Sequence, residues 1–178
     1  MNDLPPDIAR ILISAEQIQV RVKELASQIA RDYTTVDQIY MVGILKGAFI
    51  FLADLARELK IPHSIDFMAL SSYGKTTTSG EVRILMDLRE PVGGRHVMIV
   101  EDIVDTGHTL NYLQKLLLDR NPASLHTCAL VRKIRPGLHA PVDYLGFDIP
   151  DVWVVGYGLD YADKHRTLPY IAELKREA

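Results

Sequence analysis

Residues 97–110 read VMIVEDIVDTGHTL, and this stretch predicts the centre of the fold. It begins with a continuous apolar run, which is typical of a parallel strand buried on both faces. Two adjacent acids follow, Glu101 and Asp102, and a third acid, Asp105, leads into Thr-Gly-His-Thr. Small side chains, hydroxyls and backbone N–H groups at the start of a helix are suited to holding a phosphate. The stretch is therefore interpreted as a strand, a phosphate-binding turn and a helix that begins near Gly107.

Alternating strand and helix patterns surround this stretch and predict an α/β domain with a mainly parallel central sheet. The first helix opens with a capping-box pattern formed by Ser14 and Gln17. Helices are predicted from Ser14 to near Tyr33, at 48–59 and from near Gly107 to Asn121. Strands are predicted at 38–45, 63–68, 82–87, 124–131 and 152–157, besides the central strand.

Ligands of an open parallel sheet bind beyond the carboxyl ends of its strands. The loops that follow Val100, Leu45 and Val131 are therefore expected to meet at one edge of the sheet. The segment 72–80 reads SYGKTTTSG and lacks apolar periodicity, so it is predicted to be a mobile lid between two strands that form a hairpin. The segment 133–141 is also predicted to be a loop.

The composition predicts one globular domain that spans residues 1–178, because 48% hydrophobic residues are enough for a sizeable core. A net charge of −3 argues against binding nucleic acid through bulk positive charge. The single cysteine, Cys128, and an N-terminus without the pattern of a secretory signal indicate the cytoplasm. The most apolar region, 44–55, is too short to span a membrane and contains Lys46, so no membrane association is expected.

The segment VEDIVDTGHTL, residues 100–110, resembles the phosphoribosyl diphosphate binding motif of the type I phosphoribosyltransferases. It is most similar to the motif of the hypoxanthine-guanine branch of that family. Further matches follow in the family's order: GILKG at 43–47, SSYG at 71–74, Lys133, and GFDIPDVWVVGYGLDY at 146–161. Together these segments cover most of the chain beyond its N-terminal stretch.

The resemblance implies the type I phosphoribosyltransferase fold: a mainly parallel sheet flanked by helices, a mobile lid and a small hood built from the N- and C-terminal parts. The implied reaction moves 5-phosphoribose from phosphoribosyl diphosphate to a 6-oxopurine base and releases pyrophosphate. Positive charge develops at the anomeric carbon, so the site must orient the ribose, hold the pyrophosphate with Mg2+ and exclude water. Family members form dimers or tetramers, so a homo-oligomer is expected.

The resemblance also assigns the ribose-phosphate half of the site. Glu101 and Asp102 are expected to contact the ribose hydroxyls and Mg2+, directly or through its bound water. The turn expected to wrap the 5-phosphate consists of Asp105, Thr106, Gly107, His108 and Thr109. Several relatives carry lysine or another residue in place of His108, which leaves open only the role of its side chain.

Asp105 is expected to exchange a proton with the purine ring nitrogen as the new bond forms. The alternative is that its carboxylate caps the helix that starts near Gly107, which aspartate often does. Both roles are compatible, and the surrounding match favours catalysis.

The purine half of the site is expected in the C-terminal third. Trp153 would stack on the base, although a lone tryptophan in an apolar run is more often a core residue. Lys133 would donate to the 6-oxo group, where the bland alternative is an exposed lysine in a basic loop. Val154 would contact the base through its backbone, and Asp160 would serve Mg2+ directly or through water, unless it is only a turn acid.

Lys46 and Gly47 resemble the family's pyrophosphate loop, in which a cis peptide often joins the lysine to the residue before it, here Leu45. Arg166 resembles an arginine that also holds pyrophosphate, and its alternative is a solvated surface residue. Ser72 and Tyr73 would lead the lid that closes over the reacting centre.

Two other functions remain open on the sequence. One is a phosphoribosyltransferase for xanthine, adenine or a pyrimidine, although Lys133, Trp153 and Asp160 together favour a 6-oxopurine. The other is a nucleotide-sensing RNA-binding regulator on the same fold. Such regulators tend to lack the acid at the position of Asp105 and need a basic face, whereas this chain has the acid and a negative net charge.

Overall fold

The computed structural model describes residues 4–72, 82–137 and 141–175. Within these ranges, strands and helices alternate through most of the chain. The strands are β1 (Ile8–Ile13), β2 (Ile39–Leu45), β3 (His63–Ser72), β4 (Val82–Met86), β5 (His96–Val104), β6 (Ser124–Lys133), β7 (Tyr144–Ile149), β8 (Val154–Val155) and β9 (Ile171–Leu174). The helices are α1 (Ala15–Asp32), α2 (Phe49–Glu58) and α3 (His108–Leu118).

A six-stranded sheet forms the centre of the fold, with the strand order β4-β3-β2-β5-β6-β7. The pairs from β3 to β7 are parallel, and β4 runs antiparallel to β3. The predicted α/β class with a mainly parallel sheet is therefore confirmed. β5 lies between β2 and β6, and the side chains of its apolar run are buried, as the opening stretch of sequence predicted.

Successive residues of β5 pack against different helices because side chains alternate between the two faces of a sheet. Met98 and Val100 belong to the hydrophobic cluster that contains the buried residues of α1 and α2. Val97 and Ile99 belong to the cluster that contains the buried leucines of α3. Helices thus cover both faces of the sheet and leave its ends accessible.

The capping box predicted at the start of α1 is present. The backbone N–H of Gln17 donates to Ser14 Oγ at 3.3 Å, and the Ser14 N–H donates to Gln17 Oε1 at 2.8 Å. The helix ends at Tyr33 as predicted. The third helix ends at Leu118, before Asn121 is reached.

A second, small sheet has the order β1-β9-β8 and draws its strands from both ends of the chain. Ile8 of β1 lies opposite Leu174 of β9, and Val154 of β8 lies opposite Glu173. Both pairings are antiparallel. We call this unit the small sheet, and it holds residues 154 and 155 beside the carboxyl end of the central sheet.

The structure corrects several predicted boundaries. The central strand does not end at Val100 but continues through the two acids to Val104, and β6 continues to Lys133, which therefore ends a strand and does not open a loop. The strand predicted at 152–157 contains only two residues. Gly156 and Tyr157 follow with φ of 98° and 50°, values in the left-handed region that strand residues do not adopt. The strands β1, β7 and β9 were not predicted.

The antiparallel pairing of β3 with β4 confirms the predicted hairpin. The lid predicted between these strands lies outside the described residues, including Tyr73, and only the backbone of Ser72 is placed, at the end of β3. None of the helices in the described ranges is long and apolar enough to cross a membrane.

Candidate active site

The carboxyl ends of β2, β5 and β6 meet at one edge of the central sheet, as the parallel arrangement predicts. The loop after β2 contacts the acid pair of β5, because a Cβ added to Gly47 would lie 1.5 Å from Asp102 Oδ2. The end of β6 contacts the turn after β5, where Lys133 Nζ lies 3.3 Å from Asp105 Oδ2. The loops singled out in the sequence therefore converge on a single site.

Glu101 and Asp102 lie near the end of β5, where Glu101 is buried and Asp102 is half-buried. Glu101 is 5% exposed, and its Oε2 atom has no hydrogen-bond partner in the described part of the chain. Burial, reinforced by the charge of Asp102, raises the pKa of Glu101 well above its ordinary value. Burial likewise raises the pKa of Asp102 to about 6, although Asp102 Oδ1 accepts the Ile103 N–H at 2.8 Å. One buried and one half-buried carboxylate with spare oxygen atoms are a donor set that fits a hard divalent cation.

The turn after β5 surrounds a cavity of about 210 Å³. Its lining includes the acid pair and most of the turn that the sequence assigned to the 5-phosphate. The lining residues are Glu101, Asp102, Ile103, Val104, Asp105, Thr106, Gly107, Thr109 and Leu110. His108 is not among them, and it stands at the first position of α3. The helix start directs free backbone N–H groups and a positive dipole end towards this cavity, which suits an anion.

Asp105 does not cap α3. The residue at the cap position is Gly107, with φ of 79°, and no side chain in the described part of the chain caps the first turn of the helix. Instead, the Asp105 carboxylate faces two cations: its Oδ2 accepts from Lys133 Nζ, and its Oδ1 lies 3.0 Å from the Arg135 guanidinium. The side chain is still 46% exposed and therefore accessible to a ligand. The capping alternative is wrong for this structure.

The side chain of Lys133 is buried, so the alternative that it is an exposed lysine in a basic loop is wrong. The residue is 6% exposed, and its Nζ also lies 3.6 Å from Asp151 Oδ1. The same amine lies 5.7 Å from the centre of the Trp153 ring. Its position at the end of β6 explains this burial, because the strand carries it against the turn after β5.

Trp153 is 64% exposed, so the alternative that it is a core residue is wrong. Its ring meets that of Tyr161 edge to face, with the ring centres 5.9 Å apart. The small sheet fixes its backbone, since the Leu174 N–H donates to the Trp153 carbonyl at 2.9 Å. Val154, the next residue, is 8% exposed and belongs to β8. An open aromatic face thus stands beside the Lys133 amine.

The remaining predicted residues lie near Asp102. The peptide bond between Leu45 and Lys46 is cis. Arg166 donates to the Gly158 carbonyl at 2.5 Å and pairs with Asp160 Oδ1 at 2.5 Å, so Arg166 is tied into the site and is not a free surface residue.

Arg166 and Asp160 both lie close enough to Asp102 to affect its titration. Among the smaller causes that act on the Asp102 pKa, Arg166 lowers it and Asp160 raises it. The predicted pyrophosphate arginine and the predicted third metal acid are therefore electrostatic neighbours of the acid pair.

Sequence reasoning missed four residues that contact the predicted site residues. Arg135 and Asp151 pair with each other beside Lys133 and Asp105. Asp163 lies 3.5 Å from Lys46 Nζ, and Gly158 allows close approach, since a Cβ there would lie 2.0 Å from the Gly47 carbonyl oxygen. Each missed residue lies within three positions of a predicted one, and side chains two apart in an extended segment share a side. For Arg135, two residues after Lys133, and Asp151, two residues before Trp153, this spacing was the signal available in the sequence.

Comparison with known proteins gives consistent matches along the chain. A family model described as the phosphoribosyl transferase domain matches residues 12–162. The hypoxanthine-guanine phosphoribosyltransferase of Dictyostelium discoideum is 50% identical over 173 residues, which covers 94% of this chain and 96% of that protein. The hypoxanthine-guanine phosphoribosyltransferase of Mycobacterium tuberculosis (strain CDC 1551 / Oshkosh) is 51% identical over 178 residues, which covers 96% and 88% of the two chains. Among solved structures, the hypoxanthine phosphoribosyltransferase from Trypanosoma cruzi in complex with the product IMP matches with a TM-score of 0.89 and 43% identity, over 97% of each chain.

Proposed function

The chain belongs to the phosphoribosyl transferase family, and on that premise we propose that it is a purine salvage enzyme that converts hypoxanthine to IMP. It transfers 5-phosphoribose from phosphoribosyl diphosphate to the base and releases pyrophosphate. The observation that carries this function is the placement of Asp105 and Lys133, which stand side by side between the phosphate-binding turn and the open face of Trp153. A base seated there presents its ring nitrogen and its 6-oxo group to one acid and one amine.

The ribose-phosphate half consists of the turn and the acid pair. The residues from Asp105 to Thr109 hold the 5-phosphate, with backbone N–H groups and the hydroxyls of Thr106 and Thr109 as donors. Glu101 and Asp102 orient the ribose hydroxyls. Positive charge develops at the anomeric carbon as the bond to pyrophosphate breaks, and this charge is stabilised by carboxylates already buried beside it.

Enzymes of this family need a divalent metal ion, and we propose Mg2+ as that ion. When bound, it neutralises pyrophosphate and makes it a better leaving group. Glu101, Asp102 and Asp160 would hold it, directly or through water. Glu101 Oε2 has no hydrogen-bond partner among the described residues, and the pKa of Asp102 is raised although Arg166 lowers it, so both carboxyls would be stabilised by a bound cation and support this assignment.

The base half divides the work between two side chains. Asp105 exchanges a proton with the purine ring nitrogen as the glycosidic bond forms, which is general acid–base catalysis. Lys133 donates to the 6-oxo group and thereby favours hypoxanthine and guanine over adenine, whose 6-amino group is a donor. Trp153 stacks on the ring and the Val154 backbone contacts its edge.

The leaving-group side is formed by the loop after β2 and by Arg166. Lys46 and the Gly47 backbone meet the pyrophosphate, and Arg166 adds a second cation. The lid led by Ser72 and Tyr73 remains a sequence prediction, in which closure excludes water from the reacting centre.

The competing functions make different demands on the same residues. A regulator that binds RNA would dispense with Asp105 and would need a basic face, whereas this chain keeps the acid and has a net charge of −3. A xanthine enzyme would share the site described above and differ only in how it accommodates the 2-oxo group. Guanine is therefore proposed as a second substrate, and xanthine is the competing one.

The direct test incubates the protein with Mg2+, phosphoribosyl diphosphate and hypoxanthine, guanine, xanthine or adenine in separate reactions, and measures the monophosphate formed. We expect IMP and GMP. The absence of turnover with both hypoxanthine and guanine would overturn the proposal. Omitting Mg2+, or replacing it with another divalent ion, tests the choice of metal.

The role of Asp105 is tested by Asp105→Asn. We expect phosphoribosyl diphosphate to bind with unchanged affinity and kcat to fall by about a hundredfold or more, as the loss of a general acid or base does. Asp148→Asn is the matched control, because Asp148 also pairs with an arginine of β6, Arg132, but outside the site. Full activity of Asp105→Asn would remove Asp105 from this role.

We also propose that the protein acts in the cytoplasm as a homodimer or homotetramer. The state of assembly is measured by light scattering on the purified protein with and without phosphoribosyl diphosphate. A monomer under both conditions contradicts this part of the proposal.

A further inference from the structure

Four charged side chains form a closed ring beside the candidate base site. Arg135 lies 2.5 Å from Asp151 Oδ1 and 3.0 Å from Asp105 Oδ1. Lys133 Nζ lies 3.3 Å from Asp105 Oδ2 and 3.6 Å from Asp151 Oδ1. Each cation therefore touches both carboxylates, and the charges of the four groups cancel.

The contacts in this ring are unequal. The shortest joins Arg135 to Asp151 and is a hydrogen bond. By contrast, Asp105 Oδ1 has no hydrogen-bond partner among the described residues, so its 3.0 Å approach to Arg135 is an ion pair without hydrogen-bond alignment. Arg135 and Asp151 thus form the tightly held half of the ring, with a hydrogen bond of 2.5 Å, and Lys133 and Asp105 form the more loosely held half, with a hydrogen bond of 3.3 Å.

The loosely held half contains the two residues that must turn to the base under the proposed function. Asp151 is the obstacle, because it is a second acid within reach of the same Lys133 amine. A carboxylate attracts an ammonium group more strongly than a neutral carbonyl does. Without a cation of its own, Asp151 would compete with the 6-oxo group for Lys133.

We infer that Arg135 is a positioning residue that engages Asp151 and so leaves Lys133 available to the 6-oxo group of the base. This inference rests on the proposed function. Arg135 contacts neither the base nor the ribose and acts only through Asp151 and Lys133. A planar guanidinium suits the task because it offers several donors in fixed directions and stays charged at any physiological pH.

A second ion pair in the chain distinguishes positioning of Lys133 from a purely structural role at the end of β6. Arg132 and Asp148 lie three residues before Arg135 and Asp151, and they form a pair with contacts of 2.8 and 3.1 Å. The two arginines are similarly accessible, at 34% and 31% exposure of their side chains. Both pairs would share a role in stabilising the end of β6, whereas only Arg135 would position Lys133.

The experiment compares Arg135→Ala, Arg132→Ala, Asp151→Asn and the double variant Arg135→Ala/Asp151→Asn. The Michaelis constants for hypoxanthine and for phosphoribosyl diphosphate are measured in each. We expect Arg135→Ala to raise the hypoxanthine constant about tenfold and to change the phosphoribosyl diphosphate constant by less than about twofold. Arg132→Ala should leave both constants within about twofold of the wild-type values.

The double variant provides the decisive readout, because Asp151→Asn removes the competing charge. We expect the hypoxanthine constant to return close to the wild-type value, and Asp151→Asn alone to leave it unchanged or lower. A loss of packing would not be reversed by a second substitution of this kind.

The inference is overturned if Arg135→Ala raises both constants alike, if Arg132→Ala has the same effect, or if the double variant shows no recovery. Should Arg135→Ala fail to fold, Asp151→Asn and the double variant still decide, because an increased hypoxanthine constant in Asp151→Asn contradicts the competition. Wild-type protein without turnover would instead overturn the proposed function itself.

Discussion

Gly47 and Asp102 are in direct contact, and a Cβ atom at position 47 would lie 1.5 Å from the Asp102 Oδ2 atom. The contact joins the loop after β2 to the acid end of β5. Because no side chain fits between them, the predicted pyrophosphate loop and the predicted metal acid keep their relative positions only with glycine at this place.

Gly47→Ala is therefore expected to displace either the Asp102 carboxylate or the loop. We expect kcat/KM for phosphoribosyl diphosphate to fall by about a hundredfold, since a misplacement of about 1 Å in a reacting site has effects of that size. Steady-state kinetics with varied phosphoribosyl diphosphate measure the change. Gly93→Ala is the control, because a Cβ there would meet the Arg120 carbonyl at an ordinary 3.6 Å, and unchanged kinetics in Gly47→Ala would contradict the prediction.

Tyr161 is expected to orient Trp153 for stacking on the base. Their edge-to-face contact leaves the Trp153 face open, and pairs of this kind contribute about 0.5–1.5 kcal/mol. We predict that Tyr161→Ala raises the hypoxanthine Michaelis constant about threefold to tenfold, whereas Tyr161→Phe, which keeps the ring, does not.

The same pair offers a spectroscopic check because Trp153 is the only tryptophan of the chain. IMP should quench its fluorescence in the wild type and in Tyr161→Phe with similar affinity, and in Tyr161→Ala with weaker affinity. Fluorescence that does not respond to IMP in the wild type would place the base away from this ring.

The acid pair predicts an unusual dependence of stability on pH. Burial raises the pKa of Asp102 to about 6, and burial with the charge of Asp102 raises the pKa of Glu101. In the unfolded chain these carboxyls titrate near about 4, so between the two values the folded protein binds more protons than the unfolded chain. The stability contributed by the raised pKa of Asp102 is therefore complete below about pH 4 and is lost as the pH rises through about 6, and the raised pKa of Glu101 acts in the same direction.

Melting temperatures measured in metal-free buffer test whether stability falls as the pH rises. Between about pH 5 and about pH 7, the melting temperature of the wild type should fall relative to that of Asp102→Asn. Millimolar MgCl2 at neutral pH should restore it in the wild type and have a smaller effect on the variant, because a bound cation offsets the buried charges. Parallel pH profiles of the two proteins would contradict the assignment.

The capping box of α1 predicts a stability effect far from the site. Ser14→Ala removes the acceptor for the Gln17 N–H and should lower the free energy of unfolding by about 1 kcal/mol. For a chain of this size that loss corresponds to about 2–4 °C in melting temperature. Ser27→Ala is the control, since the Ser27 hydroxyl only donates back to the Lys23 carbonyl within the same helix, and enzymatic activity should be unchanged in both variants.

The elements that sequence patterns predicted well are those whose partners are local or whose burial is complete. The apolar part of the central strand, residues 97–100, and the first helix needed only an apolar run and a capping box. The strands β1, β7 and β9 were missed for a different reason. Ile8 pairs with Leu174 across nearly the whole chain, and the interior of β7 holds Gly146, which weakens a strand pattern and is required there because a Cβ would lie 2.2 Å from the Leu130 carbonyl oxygen.

In the site, too, local features could be predicted from the sequence and long-range contacts could not. Motif residues such as Glu101, Asp102 and Lys133 could be identified one by one, and the parallel sheet predicted that their loops converge. The ion pairs between them could not be read from the sequence, because the contact of Arg135 with Asp105 depends on where β6 ends. The alternative that Asp105 caps the helix failed for a local reason, since the left-handed φ of Gly107 makes that residue the cap.

The pairing of β9 with β8 also sets the order in which the site can form during synthesis. The phosphate-binding turn belongs to β5 and α3, which are made early, whereas the backbone of Trp153 is held by the Leu174 N–H. A nascent chain that has not yet released residues 171–174 from the ribosome already contains the turn after β5, but it lacks the strand that supports the backbone of Trp153.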